Sequence, residues 1–100
     1  MNEQWNTIAG VLAQNRPLFE ALGDAHRQEI IIRLAEEKKL TVGELATEIG
    51  LSRPATSHHI KILKEAGLLQ ETRQGTKRYY YPTFTAHTDS LAELLRAITA

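Results

Sequence analysis

The sequence of 100 residues predicts a mainly α-helical fold with one small β-hairpin. Three observations support this prediction. Apolar residues recur at helical spacing along most of the chain, two short helical segments meet at a glycine near its middle, and three consecutive tyrosines follow them. A chain of this length corresponds to one domain, so residues 1–100 are expected to fold as a single unit.

The middle of the chain is typical of two short helices joined by a tight turn. The less polar residues of each helix fall at i, i+3, i+4 and i+7, first at Val42, Leu45, Ala46 and Ile49 and then at Thr56, His59, Ile60 and Leu63. Thr41 and Glu44 match a capping box that begins the first helix. Gly50 suits the left-handed residue that ends it, and Ser52 can cap the second. The pattern predicts a helix-turn-helix, whose second helix can lie in the major groove of DNA.

Further elements are predicted on both sides of this motif. Apolar stripes and breaks indicate helices at residues 2–14, about 17–22 and about 25–38, strands at 69–74 and 77–82, and a last helix at about 86–98. Gln74-Gly75-Thr76 forms the turn between the strands. A basic two-stranded ribbon after a helix-turn-helix is a wing, so the predicted fold is a winged helix-turn-helix.

The net charge of the chain is zero, but its distribution is uneven. Residues 1–51 hold five Lys/Arg against eight Asp/Glu, residues 52–78 hold six against two, and residues 79–100 hold one against two. The middle segment therefore carries a net charge of +4, and it coincides with the second helix of the motif and the wing. A local basic patch of this kind is typical of DNA binding.

The residues expected to bind DNA lie on that helix, most of them on its outward face and Thr56 nearer the core side, and on the wing. They are Ser52, Arg53, Pro54, Thr56, Ser57, His58, Lys61, Arg73, Lys77 and Arg78. Arg53 can bond two acceptors of guanine, and Ser57 and His58 can reach base edges. The wing cations and Lys61 suit phosphate. His59 lies nearer the core side and is expected to brace the helix.

The ordered set of motifs resembles the ArsR/SmtB family of bacterial winged-helix repressors. The matching segments are ALGDAHRQEIIIRLAE at 21–36, LTVGELATEIGLSRPATSHHIKILKEAGLL at 40–69 and QGTKRYYY at 74–81. The resemblance implies a homodimer that occupies double-stranded operator DNA and releases it when an effector binds. The effector and the operator sequence do not follow from these residues.

The chain departs from the family pattern where metal sensors of this family bind their ligand. It has no cysteine, and residues 40–45 lack the cysteine pair of the thiol-based sensors. The last helix offers His87, Asp89 and Glu93 but no second histidine, a poor match to a tetrahedral zinc site. We therefore predict no metal and no cofactor, and we keep a metal site shared across the dimer, or a small organic effector, as alternatives.

Apolar stripes on the first and last helices predict a homodimer interface. The residues are Trp5, Ile8, Ala9, Leu12, Leu91, Leu94, Leu95 and Ile98. A winged helix-turn-helix core does not need both stripes, and uncovered apolar patches usually mark an interface. Pairing about a two-fold axis would place two reading helices about one DNA turn apart, over a pseudo-palindromic site. The alternative is that both stripes pack on their own core.

Several other classes of protein are excluded or disfavoured. No apolar run approaches the roughly 18 residues of a membrane span, and no signal peptide is evident, so a cytoplasmic location is expected. Ser57 and His58 are neighbours on a helix and point roughly 100° apart, which makes a poor nucleophile–base pair, so no enzyme is predicted. A winged module that binds proteins instead of DNA stays an alternative, which the +4 segment disfavours.

Overall fold

The computed structural model describes residues 3–99, with the side chains of residues 3–7, 85, 86 and 90 left out of the description. Its elements, in chain order, are α1 (Glu3–Gln14), α2 (Arg16–Leu22), α3 (Ala25–Glu37), α4 (Val42–Ile49), α5 (Arg53–Glu65), β1 (Leu69–Gln74), β2 (Lys77–Pro82) and α6 (Thr85–Thr99). This is the predicted winged helix-turn-helix: α4 and α5 form the motif, and β1 and β2 form the wing. Both strands have the predicted bounds. No predicted helix end differs from the observed one by more than one residue.

Local hydrogen bonds fix the turn between α4 and α5. The Thr41 Oγ1 accepts from the Glu44 amide at 3.2 Å, and the Glu44 carboxylate accepts from the Thr41 amide at 3.0 Å. Gly50 ends α4 with φ +74°, a conformation that glycine adopts at little cost. Ser52 Oγ then accepts from the Ala55 amide at 3.2 Å and caps α5. The predicted caps are confirmed, and they set the direction in which α5 leaves α4.

The core lies between α2, α3, α4, α5 and the base of the wing. Its largest fully buried side chains are Leu18, Ile30, Leu34, Leu45, Leu63, Leu68 and Thr56. Burial of each leucine or isoleucine stabilises the fold by about 1.5–3 kcal/mol. Tyr80 joins this core from β2, and its backbone exchanges two hydrogen bonds with Leu40, at 2.8 and 3.1 Å. This short bridge fixes the wing to the segment that leads into α4.

The wing is an antiparallel hairpin with a two-residue turn. Gln74 pairs with Lys77, so Gly75 and Thr76 alone connect the strands. Gly75 has φ +66°, which suits the tight turn. Because successive side chains of a strand point to opposite faces, Tyr80 is buried while its two tyrosine neighbours stay half-buried. The wing therefore has one face on the core and one in solvent.

The terminal helices α1 and α6 pack against each other, and this divides their apolar stripes. Val11 and Leu94 are buried within the chain, and Leu91 packs against the main core. Leu12, Leu95 and Ile98 remain exposed. The prediction that Leu94 lies in a dimer interface is therefore corrected, because Leu94 is buried within its own chain. Leu91 is half-buried, so its place in the interface stays a prediction. The predicted interface residue Trp5 lies outside the described side chains.

Across residues 3–99, none of the helices combines the length and the apolar character that crossing a membrane requires.

Candidate nucleic-acid interface

Helix α5 presents one face to the core and the other to solvent. Ile60, Leu63 and Thr56 are buried, whereas the side chains that we call the reading face are exposed, namely Arg53, Pro54, Ser57, His58 and Lys61. Because α5 is the second helix of the helix-turn-helix, its exposed face is the one that this motif presents to DNA.

Thr56 does not belong to the reading face. Its side chain is fully buried, and its Oγ1 donates to the Ser52 carbonyl at 2.8 Å. Thr56 lies four residues before Ile60, which places both on the core side of the helix. The predicted contact of Thr56 with DNA is corrected, since this side chain stabilises the first turn of α5 instead.

A groove runs between α4, α5 and the wing. Side chains of the reading face and of the wing line it, among them Arg53, Ser57, Arg73, Lys77 and Arg78. Glu37, Glu44 and Glu48 line its other side. The neighbouring carboxyl group of Glu37 raises the pKa of Glu48, and burial raises it further. The sequence predicted that the basic residues lie at this surface, but it did not indicate that acidic residues also line the groove.

The six cations of the middle segment fall into two groups, and those of the first group, Lys61, Lys64 and Arg78, each have a carboxylate partner. Lys61 Nζ lies 4.0 Å from Glu65 Oε1. Glu71 accepts from Lys64 at 2.5 Å and from the Arg78 Nε at 3.0 Å. The hydrogen bond from Lys64 is the main cause that lowers the pKa of Glu71, and the charges of Arg78 and Arg73 lower it further. These ion pairs are exposed, so each is worth at most about 1 kcal/mol.

Arg53, Arg73 and Lys77 make up the second group. None of them lies within 4 Å of a carboxylate of the described residues. All three line the groove, where phosphate or base acceptors can bind them without breaking an ion pair. Sequence analysis identified these three residues as cations that bind DNA. It could not distinguish them from Arg78, because the ion pair of Arg78 with Glu71 forms only when β1 pairs with β2.

His59 connects α5 to the two preceding helices. Its Nδ1 lies 3.3 Å from the Arg27 Nη1, and Arg27 also donates to the carbonyls of Ala21 at 2.7 Å and Glu20 at 3.2 Å. Because arginine only donates, His59 Nδ1 must accept and stay unprotonated. Burial is the main cause that lowers the pKa of His59. The side chain therefore braces α5, and Arg27, which no local pattern indicated, is its partner.

His87 is held inside the structure and does not extend into solvent with Asp89 and Glu93. Its Nδ1 lies 3.1 Å from Asn15 Oδ1, and its Nε2 lies 2.7 Å from the Ala66 carbonyl. The ring thus connects α6 with the end of α1 and with the end of α5. Within the part of the chain that the structure describes, no group of three or more His, Asp or Glu side chains could hold a metal ion.

The sequence and the fold agree with one family of known proteins. A family profile described as "Bacterial regulatory protein, arsR family" matches residues 24–71. The HTH-type transcriptional regulator Rv2034 of Mycobacterium tuberculosis is 47% identical over 62 residues, which cover 62% of this chain and 57% of that regulator, less than two thirds of its length. The transcriptional repressor SdpR of Bacillus subtilis is 33% identical over 81% of this chain and 89% of the repressor. The chain belongs to the ArsR family.

Structural comparison agrees with this assignment. The ArsR-family chain superposes on the solution structure of Mb0332 from Mycobacterium bovis with a TM-score of 0.70 and 27% sequence identity, over 91% of this chain and 82% of that one. That protein is described as a homodimeric winged helix-turn-helix DNA-binding domain and a possible ArsR-family regulator. The ArsR-family profile at 24–71 covers α3, α4 and α5, so the family resemblance is concentrated where the groove and the reading face lie. The chain therefore contains the helix-turn-helix of the ArsR family of bacterial regulatory proteins.

Proposed function

We propose that two copies of this chain bind a pseudo-palindromic operator in the cytoplasm and repress transcription there. The observation that carries the proposal is the groove beside α5, in which Arg53, Arg73 and Lys77 have no carboxylate partner among the described residues. Three unpaired cations around one exposed helix face form a surface that attracts a polyanion.

The reading face and the wing have different roles in this proposal. Helix α5 enters the major groove, where Arg53 bonds guanine and the side chains of Ser57 and His58 reach base edges. Lys61, Arg73 and Lys77 bind phosphates and set the register of the protein on the duplex. Arg78 exchanges Glu71 for phosphate, and the first turn of α5 with its Ser52 cap approaches the backbone.

The proposed dimer forms through the exposed part of the terminal helices. Leu12 is 44% exposed, Leu95 63% and Ile98 59%, and the exposed Ala9 and half-buried Ile8 lie beside Leu12 on α1. Such a patch is costly in water unless it is covered. The homodimer described for Mb0332, which shares this fold, supports a second copy as the cover. A two-fold axis would then present two reading helices to two half-sites.

Repression follows from occupancy, since a dimer that covers a promoter excludes the transcription machinery from it. SdpR, a relative of which this chain covers 89%, is named a transcriptional repressor, which supports this direction of regulation.

Selection of genomic fragments by the purified protein tests the proposal. We expect the bound fragments to share two inverted half-sites whose centres lie about 10 base pairs apart, or a multiple of that spacing. The matched control is a variant with Arg53→Ala and Lys77→Ala, which should recover far fewer fragments and lose the preference at the base pair that Arg53 reads. Recovery of fragments without a common motif would contradict sequence-specific binding.

Arg53→Ala alone should weaken binding to the recovered operator by about 1–3 kcal/mol for each half-site, because a bidentate contact with guanine is lost in each. The loss should be confined to one base pair of each half-site. Fluorescence anisotropy with the operator and with single-base variants of it measures both effects. Arg96→Ala removes the same charge from the exposed surface of α6 and serves as the control.

A further inference from the structure

Gly43 lies in the first turn of α4, where the backbone conformation does not require a glycine. Its φ is not among the positive values, which belong to Gly50, Gly67 and Gly75. Glycine in a helix lowers stability relative to alanine, because it loses more backbone freedom on folding. The benefit of a glycine at this half-buried position must therefore come from the space that its missing side chain leaves.

The guanidinium of Arg53 occupies that space. A Cβ atom added to Gly43 would lie 2.8 Å from Arg53 Nη2, 3.1 Å from Cζ and 3.5 Å from Nε. Three atoms of one planar group thus cover the glycine. Since 2.8 Å is closer than real Cβ contacts, any larger residue at position 43 would displace the guanidinium.

No charged partner explains this position of Arg53. Among the described residues, no carboxylate lies within 4 Å of its guanidinium. Gly43 and Arg53 both line the groove between α4, α5 and the wing. The position is therefore set by shape, and the guanidinium keeps its N–H donors available for other acceptors.

We propose that Gly43 is a specificity-determining residue for DNA binding. Its missing side chain leaves a space for the Arg53 guanidinium, which we call the seat, and from this position the guanidinium approaches the bases. The inference rests on the proposed role of Arg53 in base reading. An arginine has many rotamers, and confining it to one direction before binding reduces the entropy lost when it bonds a base. Bidentate bonding to guanine also depends on direction, so a displaced guanidinium loses discrimination.

Gly43→Ala should therefore have opposite effects on folding and on recognition. The added methyl group improves the helix propensity of α4, and the flexible Arg53 side chain can move aside without unfolding the protein. We expect the thermal midpoint to stay constant or to rise by up to about 5 °C. Discrimination between the operator and its single-base variant at the position read by Arg53 should fall about fivefold or more.

A double-mutant cycle tests the seat. Anisotropy titrations compare wild type, Gly43→Ala, Arg53→Ala and the double variant on the operator recovered by selection and on its single-base variant. We expect Gly43→Ala to change discrimination only when Arg53 is present and to change it by less than about twofold in the Arg53→Ala background. NMR relaxation of the Arg53 Nε–H group should also show that this side chain is more mobile in Gly43→Ala than in wild type. This measurement needs no DNA.

The outcomes separate the seat from the role of Arg53. Wild-type discrimination in Gly43→Ala together with its loss in Arg53→Ala would overturn the seat alone. If Gly43→Ala changed discrimination equally with and without Arg53, the alanine would act through α4 and not through Arg53. This outcome would also overturn the seat. Unchanged discrimination in Arg53→Ala would overturn the base-reading role and the seat with it. Gly10→Ala, in α1 with nothing within 4 Å of an added Cβ, is the control for helix propensity.

Discussion

The helix-turn-helix with its wing and the pair of terminal helices differ in how completely they cover their apolar side chains. Leu45 and Leu63 are fully buried in the motif, and Tyr80 closes the base of the wing. In the terminal pair, Leu95 and Ile98 keep more than half of their surface exposed, although the preceding residue, Leu94, is buried. The first region is complete within one chain, whereas the second leaves apolar surface for a partner.

The same two regions differ in their charges. The motif and wing carry the cations of the +4 segment, and three of these have no carboxylate partner among the described residues. Residues 79–100, which include α6, carry a net charge of −1. One region is thus suited to a polyanion and the other to an apolar surface. Reading and assembly should therefore be separable by substitution.

The largest effect is expected from charges placed in the exposed terminal patch. Leu95→Glu with Ile98→Glu should give a monomer and weaken operator binding about 100-fold or more, because two half-sites are no longer bound together. Leu94 is unsuitable for this test, since it is buried in its own chain. Sedimentation velocity at micromolar concentration measures assembly, and anisotropy measures binding.

Ile32→Glu is the matched control, because Ile32 is 55% exposed on α3, away from the terminal helices. It should leave the dimer and its affinity intact. A wild-type monomer, or a dimer that survives both α6 substitutions, would place the assembly surface elsewhere.

An intermediate effect is expected from the wing. Lys77→Ala removes a cation with no carboxylate partner among the described residues, so it should weaken binding to all sequences. The slope of log affinity against log salt should flatten by about 0.9 for each subunit, which is about 1.8 for the dimer. Arg78→Ala should cost less, because Arg78 must first leave Glu71 to bind phosphate. Salt titrations of both variants decide this. A larger loss in Arg78→Ala would show that the ion pair with Glu71 does not limit its contact.

The smallest effect is expected from pH and acts on stability. Burial keeps the pKa of His59 below its ordinary value of 6.5, so the unfolded chain takes up this proton first as pH falls. The free energy of unfolding should therefore be highest above 6.5 and decrease as pH falls through 6.5 toward the pKa of the folded state. Asp24 partly offsets the shift, whereas Arg27, His26 and His58 add to it.

Urea denaturation at several pH values checks this expectation. His59→Gln removes the titrating ring and should flatten the dependence between about pH 7.5 and about pH 5.5. An equal slope in wild type and variant would assign the pH dependence to other groups.

Local chemistry explains how much of the fold was predictable. Thr41, Glu44, Gly50 and Ser52 act on neighbours within a few residues, so α4 and α5 could be placed from sequence. Gly75 likewise acts locally, so both strands of the wing could be placed, whereas Gln74, predicted in the turn, pairs with Lys77 instead. The exposed reading face followed from helical spacing, which also should have excluded Thr56, since it lies in the buried stripe with Ile60.

Contacts between distant parts of the chain could not be predicted. Asn15 and His87 are 72 residues apart, and Arg27 and His59 are 32 apart, so no periodicity connects them. The burial of Leu94 depends on how α6 packs on α1, which a stripe of leucines alone does not specify. The position of the Arg53 guanidinium over Gly43 likewise required the two helices to be assembled.

The central claim is that a dimer joined through the terminal helices reads two half-sites at a fixed spacing. Insertion of five base pairs between the half-sites rotates one of them by about half a helical turn, while both sequences stay intact. We predict that the affinity measured by anisotropy falls about 100-fold, toward that of a single half-site. Equal affinity for the original and the lengthened operator would contradict the claim.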